Sequence, residues 1–134
     1  ARATSVYGKD VEKYGARMAV DGGMQTRWAS ADTLATLTIE LDESKPFNKI
    51  SIFEYQDEDY SQDGFSCYRS NRIQEYNIAI FHQNEWRTIY LDNESMGDCK
   101  VIRFPQSYRA SKIRLEITKA LAPTSIKEFN VIQY

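Results

Sequence analysis

The chain has 134 residues, of which 27% are charged, and its formal net charge is −2. This length suits one domain with a core of its own. The seventeen Lys and Arg residues are spread along the chain and form no basic stripe, which argues against a nucleic-acid partner. No apolar run approaches the ~20 residues of a membrane span, and no signal peptide opens the sequence. The opening ARATSVYG favours a module cut from a longer secreted protein over a cytosolic protein.

Before Thr36, only VEKYGARMAV is predicted to form a helical turn. From Thr36 onward, seven short apolar runs alternate with turn signals. In chain order these runs are TLTIEL, KISIFEY, RIQEYNIAIF, EWRTIYL, KVIRF, SKIRLEI and SIKEFNVIQY. Nine Tyr, six Phe and two Trp suit packed sheets better than a helical bundle. The pattern therefore predicts an all-β protein, an antiparallel β-sandwich.

Strict up-and-down alternation sorts the connections between these strands into two ends of the sandwich. Segments 19–35, 56–71, 92–100 and 119–125 are expected at one end, and segments 42–48, 82–85 and 105–111 at the other. This arrangement brings Cys67 and Cys99 to the same rim. The sequence leaves open whether they form a disulfide or remain two free thiols. A disulfide would stabilise the fold by roughly 3–4 kcal/mol in the chain-entropy model.

The segment AVDGGMQTRWAS at 19–30 is too irregular for a helix or a strand. Gly22 and Gly23 interrupt any helix and permit backbone angles that are closed to other residues. Asp21 and Thr26 place side-chain oxygens five residues apart across this bend. These residue types predict a loop that holds a ligand.

This segment is similar to the A-V-D-G-(N/D)-x-x-T-x-W signature of discoidin domains, also called coagulation-factor C-type domains. Their bacterial relatives include carbohydrate-binding module family 32. KISIFEY, NRIQEYNIAIF…EWRTI, KVIRF and SKIRLEITKALAPTSIKEFNVIQY resemble the version appended to bacterial α-L-fucosidases. The resemblance runs from about Thr4 to Tyr134 and implies a single domain over 1–134 with the jelly-roll fold of galactose-binding domains. It also implies a module excised from a larger bacterial glycosidase that is secreted, periplasmic or on the cell surface.

In this family the opening loop binds a structural calcium ion, which takes about 6–8 oxygen ligands. By resemblance, Asp21 and Glu128 would supply carboxylates and Thr26 its hydroxyl and carbonyl oxygens. The further candidate ligands are the carbonyl oxygens of Ala19 or Val20, Gly23 and Lys127. Gly23 stands where Asp or Asn is common, so side-chain support of the turn is lost there. Trp28 is expected to pack in the core. The competing interpretation is that Asp21 only caps the turn and Glu128 is a surface strand residue.

A sugar-binding site needs an aromatic face for pyranose C–H groups and polar groups that bond hydroxyls in pairs. The segment EYQDEDYSQDGFSCYRSNR at 54–72 holds both. The aromatic candidates are Tyr60, Phe65 and Tyr68, and the polar candidates are Glu54, Asp57, Arg69, Asn71 and Arg72. A structural interpretation stays open, in which Glu54 and Arg72 form a salt bridge, Tyr68 packs in the core and DEDYSQD is a solvated acidic turn.

Galactose-binding members of the family often use a His with an Arg and an Asn. The only His, His82, falls in the predicted HQN hairpin at the opposite end, so that constellation is absent or replaced. The sequence contains no Ser-His-Asp arrangement, H-E-x-x-H motif or Gly-rich phosphate loop, and it is not predicted to be an enzyme. We expect a non-catalytic, calcium-stabilised module that binds the terminal sugar of a glycan. Its second partner would be the catalytic domain of the parent chain, with an α-L-fucosidase as the candidate parent.

Two rival functions stay open. A structural domain that packs against the catalytic domain would bind no sugar and would expose an apolar patch on one sheet. A membrane- or protein-binding discoidin domain would present apolar loop tips with basic neighbours. The loop tip QDEDYSQD is acidic instead and would repel anionic lipid, which argues against a membrane partner.

Overall fold

The computed structural model describes residues 1–22, 26–54, 73–92, 99–121 and 124–133. These ranges contain one short α-helix, α1 (Val11–Tyr14), and 3₁₀ turns at Tyr7–Lys9 and Ala16–Ala19. They also contain nine strands: β1 (Arg2–Ala3), β2 (Trp28–Ala29), β3 (Ala35–Glu40), β4 (Phe47–Glu54), β5 (Ile73–His82), β6 (Glu85–Asp92), β7 (Cys99–Tyr108), β8 (Lys112–Ala120) and β9 (Ser125–Gln133). None of the helices described is long and apolar enough to cross a membrane.

The strands form two sheets in which every pairing is antiparallel. The first sheet has the order β1-β3-β8-β5-β6, and the second has the order β2-β9-β4-β7. Among these strands, only β5 and β6 follow each other within one sheet, while every other consecutive pair changes sheet. This alternation is the jelly-roll arrangement, and the predicted antiparallel β-sandwich is confirmed.

The β5–β6 hairpin has the turn that its sequence predicts. Gln83 and Asn84 both have positive φ, at 53° and 62°, as a two-residue type I′ turn requires. His82 pairs with Glu85 across this turn. HQN therefore forms the predicted hairpin.

The core lies between the sheets and follows from period-two alternation in the strands. In β3, Ala35, Leu37 and Ile39 are buried while Thr36 and Thr38 are not. Trp28 is fully buried, and its indole Nε1 donates a hydrogen bond to the carbonyl of Ser5 at 3.1 Å. The prediction that Trp28 packs in the core is confirmed.

One end of the sandwich, here called the turn end, gathers the connections predicted for it. The amide of Leu41 donates to the carbonyl of Ser111 at 2.9 Å, and the amide of Ser111 donates to the carbonyl of Phe81 at 3.1 Å. His82 Nδ1 lies 3.0 Å from Glu43 Oε1, with both side chains about half exposed. His82 is therefore the half-exposed last residue of β5, next to the turn, and not a residue of the turn itself as predicted.

The opposite end, here called the loop end, is placed by strand register. Glu54 pairs with Ile126 at the end of β4, and Ile73 pairs with Ala120 at the start of β5. Cys99 begins β7, and its backbone pairs with Phe53. The described strand ends therefore meet as predicted, whereas Cys67 and segment 56–71 lie outside the described residues.

Candidate functional site

The opening loop passes over β9 and contacts a buried carboxylate there. Gly22 has a φ of +80°, a left-handed conformation that favours glycine. Its amide donates a hydrogen bond to Glu128 Oε1 at 2.9 Å. The Thr26 hydroxyl donates to Asp21 Oδ2. The structure thus brings Asp21, Thr26 and Glu128 to one loop, while Gly23 lies outside the described residues.

Glu128 is only 3% exposed, so the interpretation of Glu128 as a surface strand residue is wrong. The Gly22 amide contacts it from the opening loop, which sequence periodicity could not show. A carboxylate taken out of water needs hydrogen bonds or a cation to offset the lost hydration. The Gly22 amide supplies one such bond, and a cleft of about 230 Å³ reaches Gly22 and Glu128.

Among the described residues of this loop and the adjoining β9, the candidate ligand atoms are oxygens. Ala19 ends a 3₁₀ turn and is fully buried, and Lys127 is half-buried in β9. No group of three or more His, Cys, Asp or Glu side chains in the described ranges is placed to hold a metal ion. Two carboxylates, one hydroxyl and nearby carbonyls form a set that suits a hard cation such as Ca²⁺ and not a soft one.

A second polar group at the loop end was not predicted. Asp92 Oδ2 accepts a hydrogen bond from the Tyr76 hydroxyl at 3.2 Å and another from the Tyr90 hydroxyl at 3.1 Å. Lys100 Nζ lies 3.6 Å from the same oxygen and 5.9 Å from the centre of the Tyr90 ring. We call these four residues the Asp92 cluster. Since β5 and β6 belong to the first sheet and β7 to the second, the cluster joins the two sheets.

Burial sets the protonation of this cluster. Burial raises the pKa of the Tyr76 phenol far above its usual range, and Tyr90 and Asp92 raise it further. The phenol therefore stays a neutral donor. A hydrogen bond with Tyr90 raises the pKa of the Lys100 ammonium, and Asp92 adds to this effect. Lys100 is 34% exposed and therefore presents a positive charge at the edge of the loop end.

The sugar-contact residues predicted from sequence fall mostly outside the described residues. Glu54 is described, is 2% exposed, and accepts a hydrogen bond from the Ile73 amide at 3.3 Å. It links the end of β4 to the start of β5, and its contact with a sugar stays a prediction. The residues that lie outside are Asp57, Tyr60, Phe65, Tyr68, Arg69, Asn71 and Arg72. The pairing of Cys67 with Cys99 also stays a prediction.

The fold defines this chain as an antiparallel jelly-roll domain with an oxygen-lined opening loop. A family model described as the F5/8 type C domain matches residues 1–129. The chain therefore belongs to the F5/8 type C domain family, the discoidin domains, and the resemblance noted from the sequence is confirmed. No curated protein sequence matches it.

Solved structures share this fold at low sequence identity. Chitosan-binding module 1 of a chitosanase/glucanase from Paenibacillus sp. IK-5 is 22% identical with a TM-score of 0.76, over 97% of this chain and 91% of that one. A family 32 carbohydrate-binding module of NanJ from C. perfringens, in complex with galactose, is 20% identical with a TM-score of 0.72, over 96% and 89%. A putative alpha-L-fucosidase from Bacteroides thetaiotaomicron is 21% identical with a TM-score of 0.76, over 96% of this chain but 26% of that one.

Proposed function

We propose that residues 1–134 form one non-catalytic module that binds the terminal sugar of a glycan at the loop end. The module would hold a bacterial glycoside hydrolase, with an α-L-fucosidase as the candidate parent, near its substrate outside the cytoplasm. The observation that carries the proposal is the F5/8 type C match over nearly the whole chain. Structures with the same fold support it, since their names record chitosan binding and a galactose complex.

The described part of the loop end offers groups suited to sugar hydroxyls. Charged hydrogen-bonding groups bind hydroxyls strongly and orient them. Lys100 is partly exposed, and the carboxylate of Asp92 is held by two phenols. Because these bonds fix the side chains before a ligand arrives, binding would cost less conformational entropy.

Binding of this kind acts on the parent enzyme through local concentration. A module tethered to a catalytic domain makes substrate encounter effectively intramolecular once the module is bound. The gain needs no contact between the module and the reacting bond. A non-catalytic domain can therefore raise turnover on a surface or polymeric glycan.

A glycan array on the isolated domain in calcium tests sugar binding. Tyr60→Ala and Phe65→Ala should abolish binding to the recognised terminal sugar, since stacking on an aromatic face is lost. His82→Ala, at the turn end, is the matched control and should bind like the parent protein. A blank array with folded protein would refute the proposal and favour a structural domain.

The structural alternative has limited support. Val101 and Ile132 are exposed on the outer face of the second sheet. The polar residues Ser51 and Asn130 lie on the same face, where Ser51 pairs with both Val101 and Asn130. Apolar side chains exposed singly are normal on soluble proteins and do not mark an interface.

We also propose that the opening loop binds a structural calcium ion. Asp21 and Glu128 would supply the carboxylates, with oxygens of Ala19, Gly23, Thr26 and Lys127 completing the set. The buried carboxylate of Glu128 supports this proposal, because a cation would offset its lost hydration. When bound, the ion would add stability through binding to the folded state alone.

Thermal unfolding with calcium and with EDTA tests this site. The parent protein should melt at a higher temperature in calcium, and Glu128→Gln should remove most of that difference. Asp32→Asn, an exposed carboxylate on the neighbouring turn, is the matched control and should keep it. Equal losses in calcium and in EDTA for Glu128→Gln would contradict the metal assignment.

A further inference from the structure

The outer face of the first sheet carries an ordered row of aromatic and charged side chains. Trp86 pairs with Phe81, Phe81 pairs with Lys112, and Lys112 pairs with Glu40. The Phe81 and Trp86 ring centres are 5.3 Å apart, and Lys112 Nζ lies 5.3 Å from the centre of the Phe81 ring. These side chains alternate with the core residues of the same strands, so they face outward.

The Trp86 ring is held in place by Arg114, which lies on β8 two residues after Lys112. The Arg114 guanidinium lies 4.3 Å from the centre of the Trp86 ring, at a distance typical of a cation–π contact. Arg114 pairs with Ala79, whose small side chain is fully buried and leaves room above the sheet. The Trp86 side chain is still 37% exposed. It is therefore an aromatic surface that is ordered before any ligand binds.

A groove of about 200 Å³ adjoins this ring and is lined by Arg2, Thr38, Glu40, Trp86 and Lys112. Its volume is below the roughly 300–1,000 Å³ of drug-sized ligand sites, so it suits a single small ring. The groove lies on the face of the sheet, and Trp86 is the second residue of β6, close to the turn end. It is thus separate from the loop end.

The charged groups of this groove are available to a ligand. Among the residues that the structure describes, the ion pairs join other side chains, and neither Arg2 nor Glu40 takes part in one. The Lys112 ammonium lies over the Phe81 ring, and Lys112 takes part in none of the ion pairs between described residues. The groove therefore offers two cations and one carboxylate, an excess of positive charge on a protein whose net charge is −2.

We propose that this groove, the Trp86 groove, is a second carbohydrate site that binds a sugar ring bearing a carboxylate or sulfate group. Trp86 would contact the C–H groups of the ring. Arg2 and Lys112 would bind the anionic group. The Arg2 guanidinium would form two parallel hydrogen bonds with it, and the Lys112 ammonium would attract it as a point charge. Glu40 would accept hydrogen bonds from ring hydroxyls. The proposal goes beyond the loop-end site and does not depend on it.

Nuclear magnetic resonance titration of the isolated domain tests this proposal, because the chain has two indole N–H signals and Trp28 is fully buried. The probes are an oligogalacturonide, a sulfated heparin tetrasaccharide and neutral cellotetraose. An acidic probe should shift the Trp86 indole signal and leave that of Trp28 unchanged, with weaker binding at higher salt. A preference between the two acidic probes would identify the anionic group, while cellotetraose should shift little.

Variants distinguish binding at the Trp86 groove from nonspecific charge attraction and from binding at the loop end. Trp86→Ala and Lys112→Gln should each weaken binding of the acidic probe by about tenfold. Arg103→Gln, on the other sheet, is the control of equal charge and should leave binding unchanged. Tyr60→Ala should also leave it unchanged, which distinguishes this groove from the loop end. No shift at millimolar probe, or an equal loss with Arg103→Gln, would overturn the proposal and make the Trp86–Arg114 contact a structural brace only.

Discussion

Replacing Asp92 by alanine tests how much the hydrogen bonds of the Asp92 cluster stabilise the fold at the loop end. Asp92 Oδ2 accepts hydrogen bonds from two phenols, at 3.2 Å from Tyr76 and 3.1 Å from Tyr90. Tyr76 is fully buried, so water cannot replace the acceptor that its hydroxyl would lose. Lys100 lies 3.6 Å from the same oxygen and is partly exposed, so water can solvate it instead.

The expected loss of stability follows from how exposed each partner of Asp92 is. A hydrogen bond to a charged group contributes about 1.5–3 kcal/mol, and a buried donor left without an acceptor costs about 1–3 kcal/mol. The pair with Tyr76 should therefore account for roughly 2 kcal/mol and the pair with half-buried Tyr90 for roughly 1 kcal/mol. The partly exposed Lys100 pair adds less than about 1 kcal/mol. We expect Asp92→Ala to lower the free energy of unfolding by about 3 kcal/mol.

Urea unfolding, followed by tryptophan fluorescence, measures this loss. The midpoint should fall with an unchanged denaturant slope, which indicates a change in stability alone. Tyr90→Phe is the matched control, with an expected loss of about 1 kcal/mol. A double-mutant cycle of Asp92→Ala with Tyr76→Phe should give a coupling energy of about 1–2 kcal/mol. A loss below about 1 kcal/mol, together with zero coupling, would refute the reasoning.

Three further predictions concern pH and buried groups. Because the pKa of Tyr76 is raised above the ordinary phenol value of 10.0, its stability contribution is full below that pH and is lost as the pH rises further. Tyr76→Phe should therefore flatten the alkaline fall in unfolding free energy, by up to ~1.4 kcal/mol per pH unit, and an unchanged slope would contradict this. Ser30 Oγ accepts a hydrogen bond from the buried Thr124 amide at 2.9 Å, so Ser30→Ala should cost about 1–3 kcal/mol in urea unfolding, against almost none for Ser51→Ala on the outer face of the second sheet. Leu37→Ala should cost about 2–5 kcal/mol, since Leu37 is fully buried, and a loss under 1 kcal/mol would place it outside the core.

Local patterns in the sequence predicted most of the fold. TLTIEL alternates apolar and polar residues, and one face of a strand between two sheets must be buried, so Leu37 and Ile39 lie in the core. HQN formed the predicted hairpin, in which Gln83 and Asn84 both have positive φ, a conformation that Asn adopts more readily than most residues. The glycine-containing bend near Gly22 was also recognisable, because no other residue adopts its conformation as readily.

The side-chain clusters could not be predicted in the same way. The Asp92 cluster takes residues from β5, β6 and β7, and its only sequence signal was Tyr90 and Asp92 two positions apart on one strand. Whether Tyr76 and Lys100 reach them depends on strand register and on which sheet each strand joins. The contact of Glu128 with the Gly22 amide likewise joins residues 106 positions apart, and no local pattern predicts it.

The amino-acid sequence by itself determined the all-β class, the positions of the seven longer strands, the hairpin and the family, because these depend on periodicity, turn residues and local motifs. It missed the two-residue strands β1 and β2, and β2 lies in segment 19–30, which was expected to form no strand. Tertiary structure alone decided that Glu128 is buried, that three residues from three strands contact the Asp92 carboxylate, and that Trp86 faces a groove with Arg2 and Glu40. The physical reason is that hydrophobic patterning acts within one strand, whereas polar and aromatic contacts form only when distant strands pack in a particular register.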